Sequence, residues 1–190
     1  MGFLDTLLGR RKLKGPAPDR LFAISTAYVA LQSEQNVTTR GAAAIVFQPL
    51  ATSDFQSIVA DMQQVLEGTG SETGSKIETS DDQYGYRWMV VRDEDLDDLT
   101  VGINAVSDEL ATGGYADRVL CAVFAFQDAG GAPLYFIYNY KRGYWYPFVP
   151  ATGEQQRNSE RELQLKAQIG RELPIEPELE RWFPLWGIPI

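Results

Sequence analysis

Hydrophobic positions recur along the chain in two periods, and each period marks its own kind of element. Phe3, Leu4, Leu7 and Leu8 fall at i, i+1, i+4 and i+5, the spacing of one apolar face of a short helix. The basic cluster Arg10, Arg11, Lys12 and Lys14 follows, and Gly15-Pro16-Ala17-Pro18 breaks the pattern. Residues 1–15 are therefore expected to form an amphipathic basic appendage, and residues 16–190 a single domain. Asp19 is placed to cap a helix running to about Gln32, with Leu21, Ile24, Tyr28 and Leu31 on one face. Residues 41–50 (GAAAIVFQPL) predict a buried strand closed by Pro49. Ser53 is placed to cap a second helix, in which Phe55, Ile58, Val59, Met62 and Leu66 keep helical spacing.

The second half alternates more strictly. Residues 67–76 (EGTGSETGSK) have the composition of a flexible loop. Residues 76–79 and 84–92 predict a hairpin about Asp81-Asp82, with Tyr84, Tyr86, Trp88 and Val90 on one face. A helix from about Glu94 to Thr112 turns Leu96, Leu99, Ile103, Val106 and Leu110 inward and ends at Gly113-Gly114. Residues 118–127 and 132–140 predict a second hairpin, and residues 144–149 a further strand across the turn Lys141-Arg142-Gly143. Ser159 and Glu162 have capping-box spacing for a last helix to about Ile169. The order is α-β-α-ββ-α-βββ-α. Its short links predict an α+β fold, a largely antiparallel sheet of five to six strands built from helix-hairpin units, with helices packed over it. The apolar, proline-broken end, with Trp182, Phe183, Leu185 and Trp186, is expected to dock on the body.

Composition narrows the function more by absence than by presence. The 190 residues include no histidine and one cysteine, Cys121. The commonest general base, the histidine-dependent triads and structural zinc sites are thereby removed. A catalytic group, a cofactor and a tightly bound metal are not expected. Cys121, inside an apolar strand, reads as a small buried hydrophobe. No apolar run has the length of a membrane span, and residues 1–8 are too short for a secretory signal, so a cytoplasmic location is expected. Net charge is −9. Asp5 and Asp19 oppose Arg10, Arg11, Lys12, Lys14 and Arg20, so residues 1–20 are net +3 and the remainder carries −12. An acidic body argues against nucleic acid as partner.

Several motifs dissolve on inspection. The run Asp93, Glu94, Asp95, Asp97, Asp98 lacks the glycine and the final glutamate of an EF-hand, and carboxylates at a helix N-terminus complement its dipole without a metal. Gly68, Gly70 and Gly74 have no phosphate-loop lysine after them. No pair of carboxylates is set in an aromatic cleft as glycoside hydrolysis would need. Residues 134–150 (LYFIYNYKRGYWYPFVP) hold eight aromatics, yet Arg142-Gly143-Tyr144 departs from an RNA-recognition signature at Trp145. Most of these aromatics read as cross-strand core pairs. An aromatic surface formed by Trp88, Tyr138, Tyr140, Lys141, Arg142 and Trp145 is the rival reading. The first six residues match a myristoylation pattern through Gly2 and Thr6, a short motif that acts only in eukaryotic cells. The amphipathic head suits four destinies: an anionic membrane surface, a partner helix, its own body, or no fixed structure.

Five segments together resemble the PspAB family, the phage-shock-protein-A-associated proteins of actinobacteria and some archaea. They are residues 1–10 (MGFLDTLLGR), 19–32 (DRLFAISTAYVALQ), 82–92 (DQYGYRWMVVR), 140–150 (YKRGYWYPFVP) and 173–187 (LPIEPELERWFPLWG). The resemblance covers nearly the whole chain and rests on overall wording, without a catalytic motif. It implies association with the envelope-stress protein PspA, a coiled-coil membrane remodeller, and hence a non-enzymatic adaptor or regulator with a protein partner, peripheral at the inner face of the cell membrane. A small-molecule or lipid sensor with an aromatic cleft around Trp88, Tyr138 and Trp145 is the alternative.

Overall fold

A computed structural model describes residues 18–73, 75–153 and 155–190. The amphipathic head and its basic cluster lie outside the described residues. Among these residues there are four α-helices and six strands: α1 (Pro18–Gln35), β1 (Thr38–Phe47), α2 (Ser53–Thr73), β2 (Lys76–Asp81), β3 (Arg87–Arg92), α3 (Leu96–Thr112), β4 (Val119–Gln127), β5 (Pro133–Asn139), β6 (Tyr144–Phe148) and α4 (Ser159–Ile169). The strands form one sheet in the order β2-β3-β1-β4-β5-β6, and every neighbouring pair is antiparallel. This is the expected α+β fold with helices over the sheet.

The period-2 alternation sorts the strands onto two buried faces. Ala43, Ile45 and Phe47 of β1, Met89 and Val91 of β3, Phe124 and Phe126 of β4, and Phe136 and Tyr138 of β5 meet the inner faces of the helices. Leu21, Ile24 and Leu31 of α1, Phe55, Val59 and Met62 of α2, and Leu165 and Ile169 of α4 supply the other side of that core. All five positions expected to turn inward on α3 do so. The opposite face carries Ala44, Val46, Trp88, Val90, Val123, Ile137, Tyr146 and Phe148. No helix covers it. Instead the C-terminal segment lies across it: Trp182 is buried there, and Leu185, Trp186, Ile188 and Ile190 pack against it. The Tyr135 hydroxyl donates to the Ile190 carbonyl at 3.2 Å, and the Trp186 ring meets Phe148 edge-on at 5.1 Å.

Four local expectations need correction. Residues 67–73 continue α2 instead of forming a loop. Intrinsic propensity is a weak prior, and two glycines at about 1 kcal/mol each do not outweigh a helix already propagating from a packed first half. Ser53 is not the cap of α2, because Thr52 already accepts the first helical bond from Gln56 N–H at 3.1 Å; likewise Asp19 lies inside the first turn of α1. Asn158, not Ser159, caps α4, its side chain accepting from Arg161 N–H at 3.0 Å. Glu162 is thereby freed from a capping box and turns inward.

Gly41 marks a bulge within β1. Its φ is +67°, and a Cβ there would sit 3.0 Å from the Asp93 carbonyl oxygen. That close approach lets Asp93 N–H donate to Gly41 O at 3.1 Å, at a register shift between Thr39 and Ala42. Cys121 packs on the tail-covered face, and burial pushes its thiol up to about 12. The native protein is expected to resist iodoacetamide at pH 8 and to take up one equivalent once denatured. Labelling of native protein at the rate of a free thiol would contradict this packing.

Candidate functional site: a groove between the last helix and the C-terminal segment

The structure separates the aromatic residues that sequence grouped together. Trp88 lies on the tail-covered face, its indole N–H donating to Asp82 at 3.0 Å. Tyr138, Tyr140 and Trp145 lie in the helix-side core, beyond the sheet from it. All four are buried, so they form neither a surface nor a cleft. Burial pushes the Tyr138 phenol up to about 12. Trp145 is structural: its indole N–H donates to the Arg20 carbonyl at 2.7 Å and ties α1 to β6. Lys141 is exposed on the β5–β6 turn. Arg142 leaves that turn to grip Glu176 through two bonds of 2.8 and 2.9 Å.

Two recesses among the described residues differ sharply in character. The larger, about 760 Å³, is lined by Arg40, Gly41, Lys76, Arg92, Asp93, Glu94 and Asp95. Three cations and three carboxylates face it together, so its charges offset one another and offer no preference to an ion. Asp95 is committed as the cap of α3, accepting from Asp97 N–H at 2.7 Å, and Asp93 accepts from Ser75 and from Asp95 N–H. The acidic run thus serves the helix start, as its dipole favours.

The second recess is apolar. Leu163, Lys166, Ala167 and Gly170 of α4 form one wall and Ile175 and Pro177 the other, around about 380 Å³. It adjoins a smaller hollow of about 120 Å³ that Leu163 shares with Leu179 and Trp182. Leu163 and Leu179 are 45% and 48% exposed, large apolar side chains held open to solvent beside each other's hollow. Most exposed apolar residues need no explanation, but two lining one depression do.

The groove's walls are fixed by bonds that sequence spacing does not display. Trp145 N–H donates to Pro174 O at 2.9 Å and Glu176 N–H returns to Trp145 O at 2.8 Å, so the segment after α4 runs beside the β6 edge. The Trp182 indole donates to Glu176 O at 3.0 Å, its ring stacks on Tyr146, and the Lys166 ammonium lies 5.5 Å from its centroid. A charged rim follows: Arg142 bridges Glu176 and Glu178, and Arg181 binds Glu178 at 2.7 Å. The Arg142 guanidinium holds the Glu176 carboxyl below its ordinary value, and Arg181, then Arg142, do the same for Glu178. One sequence signal for the groove existed. Leu163 stands off the Leu165–Ile169 face of α4, an apolar residue on the side of the helix that the core does not need.

The groove presents apolar surface with a charged margin. No helix among the described residues is long and apolar enough to cross a membrane. No curated protein and no solved structure matches the chain. The model of one family, PspA associated protein B (PspAB), matches residues 1–190. That match spans the whole chain, as the resemblance nearly does, and the protein belongs to the PspAB family.

Proposed function

We propose that the protein is a non-catalytic adaptor of the PspA system, binding a PspA-like coiled-coil protein beside the inner face of the cell membrane. The observation that carries this reading is the family match over residues 1–190, whose description names association with PspA. The contact falls to the head. Phe3, Leu4, Leu7 and Leu8 supply an apolar face for a partner helix, and Arg10, Arg11, Lys12 and Lys14 suit an anionic bilayer at ~1 kcal/mol each. The sensor alternative has lost its cleft, because Trp88 and Trp145 lie on opposite faces of the sheet.

The test is co-purification of the full chain with the PspA-like protein of the same genome. A stable complex is expected, weakened at least tenfold by Leu4→Glu with Leu7→Glu. Absence of any complex overturns the adaptor reading; a complex indifferent to the double substitution moves the contact off the head. Flotation on anionic vesicles reads the membrane arm. Binding should fall as salt exceeds physiological strength, where exposed charges are screened within about 8 Å.

A further inference from the structure

We infer that the groove between α4 and the C-terminal segment is the resting seat of the chain's own N-terminal head, with Phe3, Leu4, Leu7 and Leu8 against Leu163, Ile175 and Leu179. The place where the described chain begins is the first argument. Arg20, in the first turn of α1, donates to Gly143 O at 3.1 Å and accepts the Trp145 indole at 2.7 Å. Trp145 is in turn bridged to Ile175, which lines the groove. The start of α1 is thus linked through Trp145 to the groove wall. Between Leu8 and Pro18 stand nine residues, which span up to ~30 Å when extended. The head reaches the groove with length to spare.

Chemistry supplies the second argument. The groove is apolar where the head is apolar, and Leu163 and Leu179 are exposed together beside one hollow. Around the groove Glu172, Glu176, Glu178 and Glu180 stand beside Arg142, Lys166, Arg171 and Arg181, so its charge is nearly balanced and the seat rests on apolar contact. Glu172 and Glu180 are exposed. An intramolecular ligand also has the advantage of a high effective concentration over one arriving from solution. Docking of this kind hides the apolar face of the head until a partner or a bilayer competes for it. It is independent of the adaptor reading, since it concerns the isolated protein.

Disulfide trapping in the full chain tests the seat. Leu7→Cys is combined with Leu163→Cys, or with Val101→Cys, a comparably exposed position on α3 that lies away from the groove. Cys121 stays in place, buried and unreactive. With glutathione disulfide as oxidant, the 7–163 pair is expected to close within one chain at least tenfold faster than the 7–101 pair. Equal rates would mean a tethered head with no seat, and disulfide-linked dimers would mean that a second copy fills the groove; either overturns the inference. Hydrogen exchange adds a readout on a chain without new cysteines. Leu4→Glu with Leu8→Glu should speed exchange in residues 163–170 several-fold, and unchanged exchange counts against the seat equally.

Discussion

A chain ending at Glu180 is expected to lose so much stability that it aggregates or stays largely unfolded. The last ten residues act as the second layer over the sheet face that no helix covers. Trp182 is buried against Tyr146, and Leu185, Trp186, Ile188 and Ile190 pack onto the same apolar cluster. Truncating a single buried tryptophan to alanine costs about 3–5 kcal/mol, against a total stability of roughly 5–15 kcal/mol for a domain. Removing the segment adds the exposure of Val46, Val123, Ile137 and Phe148, a continuous apolar patch that solvent does not tolerate. Hydrogen bonds go as well, among them those from Tyr135 to Ile190 O, from Tyr146 to Phe183 O, from the Trp182 indole to Glu176 O and from Arg157 to Trp182 O. Trp182→Ala in the full chain isolates the largest part: about 3–5 kcal/mol by denaturant titration, a fall in Tm of about 10 °C at this chain length. A truncated protein that stays soluble with an unchanged Tm would show the face to be stable without its cover.

How much of this was legible in sequence depends on whether the determinant is local. The inward face of α3 was legible, because Leu96, Leu99, Ile103, Val106 and Leu110 announce it, while the Asp95 cap was read only as part of an acidic run at the helix start. Hairpins β2–β3 and β4–β5 were legible because their turns carry Asp and Gly between alternating runs. The central place of β1 was not. It pairs with β3 on one side and β4 on the other, partners separated from it by a whole helix or more, and nothing near Thr38–Phe47 encodes that choice. Alternation also told that Tyr138 and Trp88 each have a face, but only the sheet order reveals that those faces are opposite ones. That is why an aromatic cleft looked plausible from the chain and has no place in the fold. The groove was half legible: Leu163 is visibly off the α4 core face, whereas its far wall exists only because residues 174–176 bond to Trp145.

Arg157→Met is expected to destabilise the protein by about 3 kcal/mol. Glu162 is almost fully buried at the base of α4. Its carboxylate accepts from Val149 N–H at 2.9 Å and pairs with Arg157 at 2.7 Å, while Arg157 also donates to Trp182 O. Loss of one partner from a buried pair costs about 3–5 kcal/mol, because the remaining charge stays desolvated without compensation. Arg157 keeps some contact with water, so the lower end applies. The substitution also frees the Trp182 carbonyl and loosens the groove wall from which the C-terminal segment departs. Adding Glu162→Gln to Arg157→Met should restore part of the loss, since a neutral amide still accepts from Val149 N–H and leaves no orphaned charge. Denaturant titration of wild type, both single variants and the double variant measures the coupling. A double variant as unstable as the two single losses added together would mean that Arg157 and Glu162 act separately, and the pair would not be the clasp between α4 and the tail.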